Sequence, residues 1–198
     1  MGFHSGHQSH RFVLRAGTME QHLALEAAVG PLNSLPAYTR YLRGLQAFRT
    51  PLERQLAAVA IPPALSPVRP IPLAELVVQD RADLGDHVPV WEETASLSLS
   101  PSALFGVFYV LEGSTLGARL LHKQAGQLGL GAAHGARHLA EQISSPETWK
   151  QFVGVLDAAD DLNMDEAVVA ANAVFGAAER ALARQDDAEY SNRGPDEL

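Results

Sequence analysis

Apolar positions along this chain recur at three- and four-residue spacing, which is the mark of helices that bury one face. The first series predicts a helix from about Ser9 to Val29, stopped by Gly30-Pro31, with Arg15, Thr18, Met19, His22, Leu25 and Glu26 sharing one face. A second helix follows Ser34, a good N-cap, with Pro36 in its first turn. Its apolar series from Tyr38 to Val59 keeps helical spacing through Pro51, so the expectation is one bent rod. Residues 61–72 carry five prolines and are expected to form an extended connector. A short helix over 72–84 and a loop over 85–99 come next. Ser100-Pro101 then opens a helix to about Leu128 that is apolar nearly all round between Leu104 and Leu121. Gly129 to Gly135 reads as a turn, and 136–144 is ambiguous. Ser144 with Glu147, and Asn163 with Glu166, have capping-box spacing and predict helices through Leu156 and to about Arg184. The predicted fold is all-α, a single bundle-like domain of about six to eight helices over 9–185. A flexible tail is expected at 1–8 and a flexible C-terminus at 186–198.

Composition narrows the chemistry. The 198 residues contain no cysteine, which excludes disulfides, thiolate metal sites and thiol nucleophiles. A formal charge of −8 argues against nucleic-acid partners. No uninterrupted apolar run of membrane-spanning length appears, and the polar opening segment lacks the apolar stretch of a secretory signal, so no membrane association and a cytoplasmic location are expected.

Within the long apolar helix, Gly113 and Gly117 lie four residues apart on one face and leave a strip of bare backbone. Each costs a helix interior roughly 1 kcal/mol relative to alanine. Two explanations stand: close helix packing along Ala103, Gly106, Gly113 and Gly117, or a flat cofactor lying against the strip, with Ser114 beside it. His22 has two readings as well. It is either a core histidine satisfied by a backbone carbonyl, which the residue pattern alone favours, or an iron ligand whose second ring nitrogen is fixed by a nearby carboxylate. His134 and His138 have metal-ligand spacing, but their glycine-rich surroundings read as exposed loop. Asp80, Asp83 and Asp86 read as a solvated acidic row. No histidine has a glutamate three residues before it, which weakens a di-iron site, and no nucleophile elbow, phosphate loop or dinucleotide fingerprint occurs. His4, His7 and His10 form a loose series without a rigid site.

Tyr109-Val-Leu-Glu-Gly-Ser-Thr-Leu-Gly117 resembles the distal-helix signature of bacterial haem oxygenases, especially the bacteriophytochrome-associated branch. Leu14-Arg-Ala-Gly-Thr-Met-Glu-Gln-His22-Leu-Ala-Leu-Glu26 is similar to the proximal helix of that family, and the segments 48–53 and 148–152 fit it too. The resemblance covers most of residues 10–185. It implies a haem oxygenase-type bundle that cleaves haem to biliverdin, carbon monoxide and ferrous iron, with haem as both cofactor and substrate and O2 as co-substrate. His22 would be the axial ligand, with Glu26 beside it. Arg15 and Lys150 would contact the propionates. Gly113, Ser114 and Gly117 would form the catalytic distal surface. Electrons would come from an external donor such as ferredoxin or a flavin reductase, and a bacteriophytochrome would be the bilin acceptor. Two departures stand out. Many members carry aspartate where this chain has Ser114, and many carry a second glycine where it has Ala118, whose methyl group is expected to narrow the pocket. A haem-binding or haem-trafficking protein of the same fold is the alternative.

Overall fold

Two serines open the helices that frame the fold. The Ser34 hydroxyl accepts from the Ala37 N–H at 3.3 Å, and the Ser100 hydroxyl from the Ala103 N–H at 3.2 Å. The computed structural model describes residues 9–192, with side chains described through Gln185. It contains α1 (His10–Val29), α2 (Leu35–Ala58), α3 (Ala74–Asp83), α4 (Pro101–Gln127), α5 (Arg137–Ser144), α6 (Thr148–Asp157) and α7 (Met164–Asn192). No strand is present among the described residues, so the all-α expectation holds.

α7 is the spine, with α1, α2 and α4 packed along it. The main core gathers Leu14, Phe48, Phe105, Phe108, Phe152 and Phe175. A second cluster joins α2, α3, α5 and the later half of α4 through Tyr38, Leu42, Val77, Ala118 and Leu139. α2 runs unbroken through Pro51, which is buried. Gly106 marks the tightest helix crossing, where an added Cβ would collide with the carbonyl oxygen of Ala167 on α7. α4 is long and apolar enough to cross a membrane by length and composition, but half of its most apolar stretch is buried within this bundle.

Several local expectations are corrected. The connector is not wholly extended: Ser66–Val68 makes a 3-10 turn that buries Leu65 and Val68, with Pro67 supplying the φ its first turn needs. Residues 137–144 form a helix because Asp80 caps it from 57 positions away, accepting from the Arg137 and His138 N–H groups at 2.9 and 3.0 Å. His138 is therefore fully buried with its Nδ1 2.7 Å from Asp80, whereas His134 stays 58% exposed. The acidic row is not solvated either. Asp80 is buried, Asp83 pairs with Arg137, and Asp86 bridges Arg43 and Arg81 at 2.9 and 2.7 Å. Ser144 closes α5 by donating to the Glu141 carbonyl instead of opening α6. Asn163 does cap α7, its Oδ1 accepting from the Glu166 N–H at 3.2 Å, but Glu166 takes the Asn163 side-chain amide, also at 3.2 Å, while the Asn163 backbone N–H donates to the Ser102 hydroxyl. α7 continues past Arg184 to Asn192, with Gln185 buried against its own preceding turn. His10 is fixed, its Nδ1 2.8 Å from the Leu156 carbonyl, while His4, His7 and the expected tail at 1–8 lie outside the described residues.

The turn before α5 depends on glycine. Gly129 and Gly135 have φ of 83° and 74°, and the Gly135 N–H donates to Asp83 while its carbonyl accepts from the Tyr38 hydroxyl.

Candidate functional site

α1 and α7 run side by side in the same direction. Gly17 packs on Val168 and its carbonyl accepts from Asn172, and His22 further along meets Phe175 edge-on at 5.8 Å between ring centroids. α4 also starts against the start of α7, where the Ser100 hydroxyl donates to Glu166 at 2.6 Å. α1 and α4 thus share α7 as a floor but do not form a packed pair with each other. The Tyr109 phenol and the Thr18 hydroxyl, which donates to the Leu14 carbonyl at 2.8 Å, bring the two helices near each other at that floor. His22 and Gly113 each stand one helical turn further along.

The imidazole of His22 is exposed and makes no hydrogen bond among the described residues. It is therefore not a core histidine satisfied by a carbonyl. Glu26, one turn later, is exposed and makes no bond to the ring. On α4 the glycines separate into two kinds. Gly106 is required by helix packing, whereas an added Cβ at Gly117 would meet nothing within 4 Å, and one at Gly113 would touch only the edge of Trp149, at 3.5 Å. The bare strip thus borders open space over Gly117 and is walled by one ring at Gly113. Trp149 belongs to an aromatic row, with Tyr109 and Phe152 centroids 5.7 and 5.9 Å away.

Large apolar side chains lie uncovered on both helices: Met19 and Leu23 on α1, Leu116 and Leu120 on α4, the last two 61% exposed. Arg15 is exposed on α1, and its charge, with that of Arg11, reaches Tyr109. Burial raises the Tyr109 phenol above its usual range, and the nearby Thr18 hydroxyl and the two arginines hold that rise back. Lys150 is 86% exposed on α6, with Glu147 at 3.9 Å. Ser114 donates to the Leu111 carbonyl at 2.6 Å and accepts from Gln142 at 2.9 Å. Ala118 is 1% exposed and its methyl group packs in the second core cluster, so it is not free to narrow a pocket as expected.

These residues fit an iron porphyrin. α1 carries an imidazole with unengaged nitrogens and α4 a strip without side chains, uncovered apolar groups flank both, and cations lie within the same part of the fold. No cluster of three or more histidine, aspartate or glutamate side chains suited to a bare metal ion exists among the described residues. Sequence reasoning missed Phe175, which has no local signal, and the approach of Thr18 to Tyr109, both of which stand inside the quoted motifs.

Comparison with known proteins gives a consistent result. The family model described as Heme oxygenase matches residues 75–184. The chain is 34% identical over 171 residues to the protein named Heme oxygenase PigA from Pseudomonas aeruginosa, covering 82% of this chain and 84% of that one. It superposes with a TM-score of 0.67 and 26% identity on the NO- and CO-bound heme oxygenase from Neisseria meningitidis, over 89% of this chain and 92% of the other. By this match over more than half of its length, together with its helical bundle, the chain belongs to the haem oxygenase family.

Proposed function

We propose that this protein opens haem to biliverdin, releasing carbon monoxide and ferrous iron, and that the cleft between α1 and α4 is the site. The observation that carries the reading is the pairing of an exposed His22 without a hydrogen bond and a glycine ledge that no protein atom needs. Bound haem would supply the iron that activates dioxygen and the ring carbon that is oxidised. His22 would hold the iron through its imidazole, less electron-donating than a thiolate, with Phe175 packed edge-on against that ring. Gly113 and Gly117 would let the porphyrin plane approach the α4 backbone, and Trp149 would limit its slide. Arg15 and Lys150 would take the propionates. The Ser114 hydroxyl, held by Gln142, would order a water near the reacting edge. With no cysteine to hold an iron–sulfur cluster, electrons would come from a separate ferredoxin or flavin reductase. The narrower link to a bacteriophytochrome rests on Ser114 alone.

The alternative, a haem carrier, loses one of its two supports because the Ala118 methyl group points into the core. Reconstitution with haem followed by reductant separates the readings, since a catalyst gives a biliverdin spectrum and a carrier stops at an oxy complex. His22→Ala should abolish turnover and shift the haem absorption band. Unchanged turnover in that variant would remove the proposed ligand.

A further inference from the structure

On the flank of α4, between it, α2 and the connector, lies a small polar cavity of about 10 Å³, room for a single water. Its polar lining is Arg49, Glu112, Thr115, Gln142 and Thr148. Glu112 is 3% exposed, and its Oε2 has no hydrogen-bond partner. A buried carboxyl oxygen left this way is costly, and a cavity of water size with several polar groups around it resolves the deficit. Gln142 lines the same cavity and at its far end donates to the Ser114 hydroxyl at 2.9 Å. Glu112 and Ser114 flank Gly113 in the sequence, so the network reaches both sides of the ledge residue that meets Trp149.

We propose that Glu112 is a positioning residue for Ser114: one water bridges its Oε2 to the Gln142 amide, which in turn holds the Ser114 hydroxyl at the distal surface. The inference rests on reading the α1–α4 cleft as the haem site. Burial raises the Glu112 carboxyl above the usual carboxylate range, while the nearby Thr148 hydroxyl and the charge of Arg49 hold the rise back. Arg49, from α2, is the charged group facing it, and is itself engaged with Glu53 at 2.7 Å and the Ile71 carbonyl. α5 and α6 contribute Gln142 and Thr148, and the connector contributes Pro70, Ile71 and Leu73. Losing the proton would draw the carboxylate toward Arg49 and release the bridge. The support behind Ser114 therefore weakens as pH rises through the raised Glu112 value.

Two measurements test this. In the haem-free protein, a pH series of infrared spectra should contain a carboxylic C=O band that persists above the pH at which exposed glutamates lose theirs and is missing in Glu112→Gln; a wild-type series without it overturns the proposal whatever the cleft binds. In the haem-loaded protein, turnover should fall as pH rises through that same transition. Glu112→Gln, which keeps the neutral shape, should lose that fall, and Gln142→Ala should lower kcat by about tenfold at all pH values while retaining the infrared band. An alkaline limb unmoved in Glu112→Gln shows a merely structural carboxyl and overturns the proposal. A band that behaves as expected in a protein without turnover would instead count against the oxygenase reading.

Discussion

Gly106, Gly113 and Gly117 fall on one face of one helix and look alike in the sequence, yet they answer to different forces. Gly106 is there because the Ala167 carbonyl leaves no room for a methyl group, while Gly117 borders open space. Gly106→Ala should therefore destabilise the haem-free protein by about 1–3 kcal/mol through overpacking. Gly117→Ala should stabilise it by up to about 1 kcal/mol through helix propensity. The same Gly117→Ala change should weaken haem binding, because the added methyl group stands where the porphyrin would lie. Thermal unfolding of the haem-free variants and a haem titration of each give both numbers. If Gly117→Ala binds haem as well as the wild type does, the ledge is not a ligand surface. The spacing that announced the strip could not separate these glycines, since the distinguishing atom belongs to a helix some sixty residues later. His22 shows the same limit. Its helical position was legible, but its lack of a hydrogen bond depends on what α4 leaves uncovered.

The helices that announced themselves are those whose ends are written locally. Ser34, Ser100 and the Asn163–Glu166 pair sit at the starts they specify. α5 was illegible because its N-terminus is satisfied by Asp80 of α3, and no window along the chain contains both partners. The same carboxylate binds the His138 ring, so one residue joins α3 to α5. Breaking a buried pair of this kind costs about 3–5 kcal/mol, and Asp80→Asn should approach that loss in urea unfolding. The pH dependence has a definite sign. Burial lowers the His138 pKa, with Asp80 opposing, so the folded imidazole stays neutral where an unfolded one takes a proton. On account of this group, stability should fall as pH drops below about 6.5, the ordinary histidine value. Burial acts to raise Asp80 and Asp86, but hydrogen bonds from His138 and Arg137 to the first, and from Arg43 and Arg81 to the second, leave both lowered. A second decline should follow as pH falls below about 4, where those carboxylates take up protons. In His138→Gln the upper stage should vanish while the lower one remains. An unchanged upper stage would mean that another histidine carries it.

At the scale of the whole molecule, α7 carries α1 and α4 without packing them on each other, and both leave apolar side chains uncovered. Met19, Leu23, Leu116 and Leu120 are apolar and uncovered on the two parted helices, whereas comparable side chains elsewhere on α4, such as Leu104 and Leu111, are buried. Exposed apolar groups of this kind contribute little to the stability of the haem-free protein, since no protein atom covers them. A flat apolar ligand ligated by His22 would cover them and stabilise the folded state by mass action, about 2.7 kcal/mol at a free concentration one hundred times Kd. For a domain of this size that corresponds to a rise of roughly 5–10 °C in Tm. Leu116→Ser and Leu120→Ser should each change the haem-free stability by no more than about 0.5 kcal/mol, the range of ordinary surface substitutions. Both should nevertheless reduce the rise in Tm that haem produces, whereas Val169→Ser, an equally uncovered position on α7 at 68% exposure, should leave it intact if that side chain lies outside the cleft. Equal haem-induced stabilisation in all three variants would mean that the porphyrin does not rest on α4, because a ligand seated there loses apolar contact when either leucine is truncated to a polar group.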